Sequence, residues 1–259
     1  MRRLLKVKRL DHGSEVPIHD HLEELRDRLI ISIVTLGVAL VVAFWRRHDV
    51  LDLLNEPLKG VLVSERPITL SPTEPLKIAV LVSLWTAIVA TIPVLFYQAY
   101  AFIVPAFEDE HQKAARPLII GVPLLFLVGV VFAYLAMLPA ATKFLLGFDS
   151  DQYNTQVRAG DYYTYCVMLM LGMGILFELP AAVWLLTKVG VISSAFLRKQ
   201  RRYALLVLAI VAAALPGGDP VSMMLGLIPL IILYEISIVL AKAVEKARPE
   251  PYTEPAPEA

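Results

Sequence analysis

The feature that most constrains this chain is a series of long stretches containing no Asp, Glu, Lys or Arg. They run from Leu29 to Trp45, Ile78 to Phe107, Pro117 to Thr142, Tyr162 to Phe177 (resuming after Glu178 to Thr187), Tyr203 to Gly218, and Pro220 to Tyr234 (resuming after Glu235 to Ala241). A helix of about 20 apolar residues crosses the ~30 Å hydrocarbon core of a bilayer. Inside that core every backbone N–H and C=O must be bonded within the protein, so helices are the natural solution. The pattern predicts an all-α, polytopic membrane protein with six transmembrane helices. Composition agrees: 57% of residues are hydrophobic and the mean hydropathy is +0.64, against an apolar share of about 45–50% in soluble domains. The last two crossings are expected to be short. Helices of about 14 to 16 residues reach only roughly 21 to 24 Å, so the pair around Pro216-Gly217-Gly218-Asp219-Pro220 either thins the bilayer or forms a re-entrant hairpin. Pro93, Pro123, Pro180 and Pro229 fall inside the apolar runs. Each removes an i to i−4 bond, which predicts kinked helices and a concave flank.

Charge placement sets the expected orientation. Seventeen Lys and Arg residues lie on the side of the N-terminus and seven on the other, which puts both termini in the cytoplasm. The expected organisation is a basic cytoplasmic tail over 1–16, a six-helix membrane domain over 17–242, and a Pro- and Glu-rich tail, disordered by composition, over 243–259. The basic N-terminus precedes an apolar run too long for a signal h-region, and Arg2-Arg3 is not followed by a short one, so no cleaved signal is expected. Acidic and basic residues balance at 24 each, which gives no indication of nucleic-acid binding. The lone Cys166 excludes an internal disulfide. No internal repeat suggests a transporter built from two matched halves.

Three places could carry chemistry. The octet His21-Leu22-Glu23-Glu24-Leu25-Arg26-Asp27-Arg28 precedes the first crossing, and Ile18, Leu22, Leu25 and Leu29 form one helical stripe beside it. This predicts an amphipathic helix at the membrane interface. Its Glu24 either forms an ordinary surface pair with Arg28 at i, i+4 or offers a carboxylate to a cationic ligand. Glu178 lies roughly 24 Å into the fourth crossing, where a charge costs about 2.5–3.5 kcal/mol on insertion scales. It is either a protonated acid bonded to carbonyls freed by Pro180, or a polar docking point or proton site. The third place is Glu108-Asp109-Glu110 between the second and third crossings, on the same face as Glu24. Two acidic sites on one face suit a ligand with two guanidinium groups, since each guanidinium offers bidentate donors to a carboxylate. Glu235 reads as an interface anchor. His12, His19, His21, His48 and His111 show no metal spacing, and no nucleophile, zinc or phosphate-loop motif occurs. Neither a metal, a cofactor nor an enzymatic activity is expected.

Several segments in the right order resemble the TatC family, the receptor subunit of the twin-arginine protein translocase. They are His21 to Leu29, the stretch Pro93-Val94-Leu95-Phe96-Tyr97-Gln98-Ala99-Tyr100-Ala101-Phe102-Ile103-Val104-Pro105, Phe132-Ala133-Tyr134, and Phe177-Glu178-Leu179-Pro180. The resemblance covers about Ile18 to Ala241 and also fits short final crossings. It implies a protein that binds twin-arginine signal peptides of folded precursors. Such a protein recruits single-span TatA- and TatB-type subunits, self-associates in the complex, and depends on the proton-motive force. Carried over residue by residue, it implies signal-peptide contacts at Glu24, Arg26 and Phe102. The second receptor glutamate of the family falls on His111, with Glu110 one residue earlier, so the role goes to one or the other. Glu178 and Gln98 become intramembrane polar positions facing partners, and Pro57 and Asp219 the functional loop residues. The absence of a transit peptide points to a bacterial inner membrane. Two other classes compete: a proton-coupled small-solute transporter using Glu178, and an intramembrane enzyme. The first needs a second intramembrane ionisable group and the second needs a nucleophile or metal.

Overall fold

The computed structural model describes residues 18–59, 67–103, 118–149, 152, 155–217 and 219–246. The expected tail over 1–16, residues 247–259 of the expected tail over 243–259, and the Glu108 to His111 segment lie outside these residues, while 243–246, placed in that tail, are helical. Among the described residues the only regular secondary structure is helical. The first element, α1 (Ile18–Trp45), runs unbroken from the charged octet through the first apolar run. After a turn at Arg46 come α2 (Arg47–Asn55) and a 3₁₀ turn, Glu56–Leu58, opened by Pro57. The second crossing is α3 (Glu74–Ile103). The third joins α4 (Leu118–Phe132) to α5 (Leu138–Gly147) through a π-helical turn, Ala133–Met137. The fourth is α6 (Ala159–Leu176) followed by α7 (Leu179–Val189). Short α8 (Ser194–Lys199), α9 (Arg201–Ala214) and α10 (Pro220–Lys246) complete the chain.

Five of these segments are long and apolar enough to cross a bilayer. The sixth, α9, has 14 residues and reaches only about 21 Å, as the short uncharged run implies. Its partner α10 is not short: it has 27 residues and continues past Glu235 to Lys246. That acid does not end the helix: glutamate is a good helix former, and its exposed side chain pairs with Arg201 at the start of α9, which donates to its Oε2 at 2.7 Å. Pro93, Pro123 and Pro229 lie inside helices. Pro180 instead stands in the first turn of α7, where a missing N–H costs nothing.

α1 lies along α3; α3 also packs on α4 and α6, which pack on each other; α7 packs on α10, and α9 flanks α10. Where α4 meets α6 the backbones nearly touch, because Gly129 and Gly174 present no side chains and the Phe126 ring lies against Gly174. Phe126, Leu169, Cys166 and Met173 fill this contact and are almost fully buried.

Two sets of cross-chain contacts tie the ends together. At the end carrying residues 46–73, Tyr162 and Tyr134 donate to the carbonyls of Leu54 (2.6 Å) and Leu53 (2.9 Å), and Tyr163 donates to Asn55 Oδ1 at 2.8 Å. The segment before α3 pairs with the start of α6: Ile68 N–H donates to Val157 O at 2.8 Å, and Ala159 N–H to Ile68 O at 2.7 Å. At the opposite end, Glu245 accepts from the backbone and hydroxyl of Ser194, and Tyr234 donates to Leu197 O at 2.8 Å.

Candidate functional site

The octet departs from the expected interface helix. Its apolar stripe faces outward, with Leu22 and Leu29 each 56% exposed and Leu25 40%, while Arg28 on the polar side is 7% exposed. The inversion is physical: a helix end in a membrane has apolar surroundings outside the protein, so the polar row is the one that gains by turning inward. Arg28 reaches Glu24 through Nε, at 2.9 Å to Oε1, and through its second terminal nitrogen to the same oxygen. Its remaining terminal nitrogen donates across to Gln98 Oε1 on α3, at 3.2 Å. The i, i+4 pair foreseen from the sequence therefore exists, but as part of a three-residue cluster between two helices. Gln98 is buried and belongs with Glu24 and Arg28 rather than with Glu178. Phe102 lies one turn further along α3 and is half-buried, while Arg26 is exposed. Glu110 and His111 lie outside the described residues.

Glu178 occupies the break between α6 and α7. Phe177 and Glu178 leave the α-helical ladder in a turn, with Glu178 N–H bonded to Ile175 O at 3.1 Å, and the helix restarts as Ala182 N–H reaches Glu178 O at 2.9 Å. Both carboxyl oxygens are buried and, among the described residues, neither has a hydrogen-bond partner. The carbonyls near Pro180 do not take up the acid, so that sequence reading is not met. Phe177 beside it stacks on Phe132 with ring centroids 5.5 Å apart.

The two loop residues are far apart in sequence but each organises a turn. Pro57 opens the 3₁₀ turn whose Leu58 is fully buried. Asp219 Oδ1 accepts from the N–H groups of Val221 (3.0 Å) and Ser222 (2.8 Å), capping the start of α10. Partial burial pushes its carboxyl up, but the bonds from Ser222 and Val221 outweigh this and hold it below the usual 3.8.

Sequence reasoning missed Glu74, whose carboxylate gathers the N–H groups of Leu70 and Gly160 at 2.9 Å each and Arg158 Nε at 3.0 Å. The only signal was an acid at a helix start beside Pro75, which favours an N-terminal position. It also missed Tyr162 and Tyr163, adjacent at the start of α6, whose hydroxyls reach Leu54 and Asn55. Among the described residues, no group of three or more His, Cys, Asp or Glu could hold a metal ion.

A set of membrane-length apolar helices, with a guanidinium cluster between two of them and an acid that has no hydrogen-bond partner among the described residues at a helix break, defines a multi-pass membrane protein. The chain belongs to the TatC family: the family described as Sec-independent protein translocase protein (TatC) matches residues 20–229. It is similar to the Sec-independent protein translocase protein TatC of Aquifex aeolicus (strain VF5), 38% identical over 237 residues, covering 91% of this chain and 98% of that one. It is 35% identical over 227 residues to the protein of the same name from Helicobacter pylori (strain ATCC 700392 / 26695), covering 88% of each. The crystal structure described as the twin arginine translocase receptor TatC superposes with a TM-score of 0.74 at 38% identity, covering 87% of this chain and 99% of that chain. These relatives are named as translocase components, a transport role rather than an enzymatic one.

Proposed function

We propose that this chain is the receptor and core subunit of a twin-arginine translocase, set in a bacterial inner membrane with both termini cytoplasmic. It binds the twin-arginine signal peptides of folded precursors, recruits TatA- and TatB-type single-span subunits, self-associates in the complex, and supports export driven by the proton-motive force. The observation that carries this reading is the Glu24 carboxylate, still 30% exposed, already engaged with a guanidinium group at the contact of two helices. One signal arginine goes to Glu24 and the other to the acidic cluster Glu108 to Glu110, with Glu110 or His111 in the second receptor position. Phe102, on the turn after Gln98, lines the approach, and Arg26 contributes from the exposed side of α1. Glu178 meets a polar group of a partner helix, since an acid at this depth calls for a partner that a second subunit can supply.

A photocrosslinker at exposed Leu25 tests the receptor role. It should capture an Arg-Arg signal peptide, lose it in Glu24→Ala, and discriminate against a Lys-Lys version; unchanged capture in the variant sinks the assignment. The unpaired Glu178 also suits a proton-relay solute transporter. That reading needs a second ionisable group, and Glu235, which would have to supply it, is tied to Arg201. Solute flux in liposomes holding this chain alone would favour it.

A further inference from the structure

We infer that Gln98 is the second acceptor of the arginine site and that Arg28 is its resident occupant, a guanidinium of the chain's own that an incoming arginine displaces. This rests on the receptor reading of Glu24. An arginine at i+4 from a glutamate on an exposed helix face would hold its partner loosely. Arg28 is instead 7% exposed on a helix whose neighbouring Leu29 is 56% exposed. Its fork is spread between two helices: Nε and one terminal nitrogen on Glu24, the other on Gln98, 70 residues away.

The acceptor set is therefore matched to a planar guanidinium, one charged oxygen and one neutral amide oxygen. A lysine ammonium, a compact point charge, cannot bridge them in the same way. With Arg28 in place the cluster is electrically neutral. One carboxylate cannot neutralise two guanidinium groups away from water, so a second one enters only as Arg28 leaves. Glu24 is the accessible side of the cluster, and an arriving arginine meets it first. Gln98, buried beneath, then takes the far end of the fork. A site occupied by its own chain most of the time binds more weakly in proportion to the fraction left open, about tenfold if that fraction is a tenth. Such occupancy keeps signal binding reversible and guards the buried amide when no signal is present.

The test is anisotropy titration of the full chain in lipid nanodiscs with a labelled Arg-Arg signal peptide and its Lys-Lys counterpart. Arg28→Ala should bind the Arg-Arg peptide about three- to tenfold tighter, with the Lys-Lys peptide much less affected. Adding Gln98→Leu to Arg28→Ala should reverse most of that gain for Arg-Arg alone. Arg28→Lys keeps a cation for Glu24 but loses the fork to Gln98; it should also bind Arg-Arg tighter than wild type, and it decides the matter if Arg28→Ala does not purify folded. Equal or weaker Arg-Arg binding by these Arg28 variants, with binding lost in Glu24→Ala, overturns the inference and leaves the receptor reading standing. Wild-type binding by Glu24→Ala overturns both.

Discussion

A methyl group placed on Gly129 would lie 2.6 Å from the carbonyl oxygen of Met173, 2.8 Å from Phe177 Cβ and 2.9 Å from Gly174 Cα. Backbone atoms cannot swing away as a side-chain tip can, so Gly129→Ala must push α4 from α6. The expected loss is about 1–3 kcal/mol, read as a lower melting temperature in detergent, and Gly121→Ala, which meets nothing within 4 Å, serves as the neutral control. Asp219 gives a pH test. Its folded carboxyl is held below the ordinary 3.8, so its stabilisation is fully present above that value and is lost as pH falls through the lower folded value. Asp219→Asn keeps an oxygen to cap α10 but removes the titration. It should melt like wild type near pH 7 and lose less stability on acidification below about pH 4; parallel acid curves would refute the role. Glu178 was conspicuous in the sequence by its cost alone, but its lack of a hydrogen-bond partner among the described residues was not, because that depends on which groups of α4 and α6 come near it.

At the scale of elements, the end carrying α2 is held by phenols rather than by apolar packing alone. Tyr134 reaches Leu53 from within a π-helical turn, a local widening of the helix that re-aims the residues it contains. Tyr162 and Tyr163 rise from α6 to the last residues of α2. Tyr162→Phe should cost about 1 kcal/mol and raise the labelling rate of a cysteine at position 53, read by maleimide reaction. A cysteine at position 70 should respond to Glu74→Ala, which removes the acceptor for Leu70, Gly160 and Arg158; unchanged labelling would mean the Ile68 backbone pairing holds that segment unaided. The six apolar segments were legible because lipid demands long uncharged helices. The length of α10 was not, since a run cut at its charges stops short, whereas the helix carries Glu235 and Lys242 on its exposed side and runs on to Lys246. Nor was the restart at Pro180, where the same residue that could kink a helix begins a new one.

Across the whole molecule, the sites proposed for signal reception and partner docking fall on separate places: the Glu24 cluster at the α1–α3 contact and Glu178 at the α6–α7 break. Glu178→Ala should weaken co-purification of single-span partners several-fold while leaving signal-peptide binding within about twofold; the reverse pattern would overturn that division. The separation also shows where sequence reading stops. The chain's own sequence determined that it is helical, that it crosses a membrane several times, which segments do so, and which acids are costly, because each of these follows from local composition and from backbone groups that lipid cannot solvate. Only the tertiary structure decided which way the first helix faces and what its arginine touches. Hydrophobic periodicity marks an apolar stripe but does not tell lipid from protein core, since both are apolar. The octet read as a surface pair on an interface helix became a buried three-residue cluster once α3 brought Gln98 against Arg28.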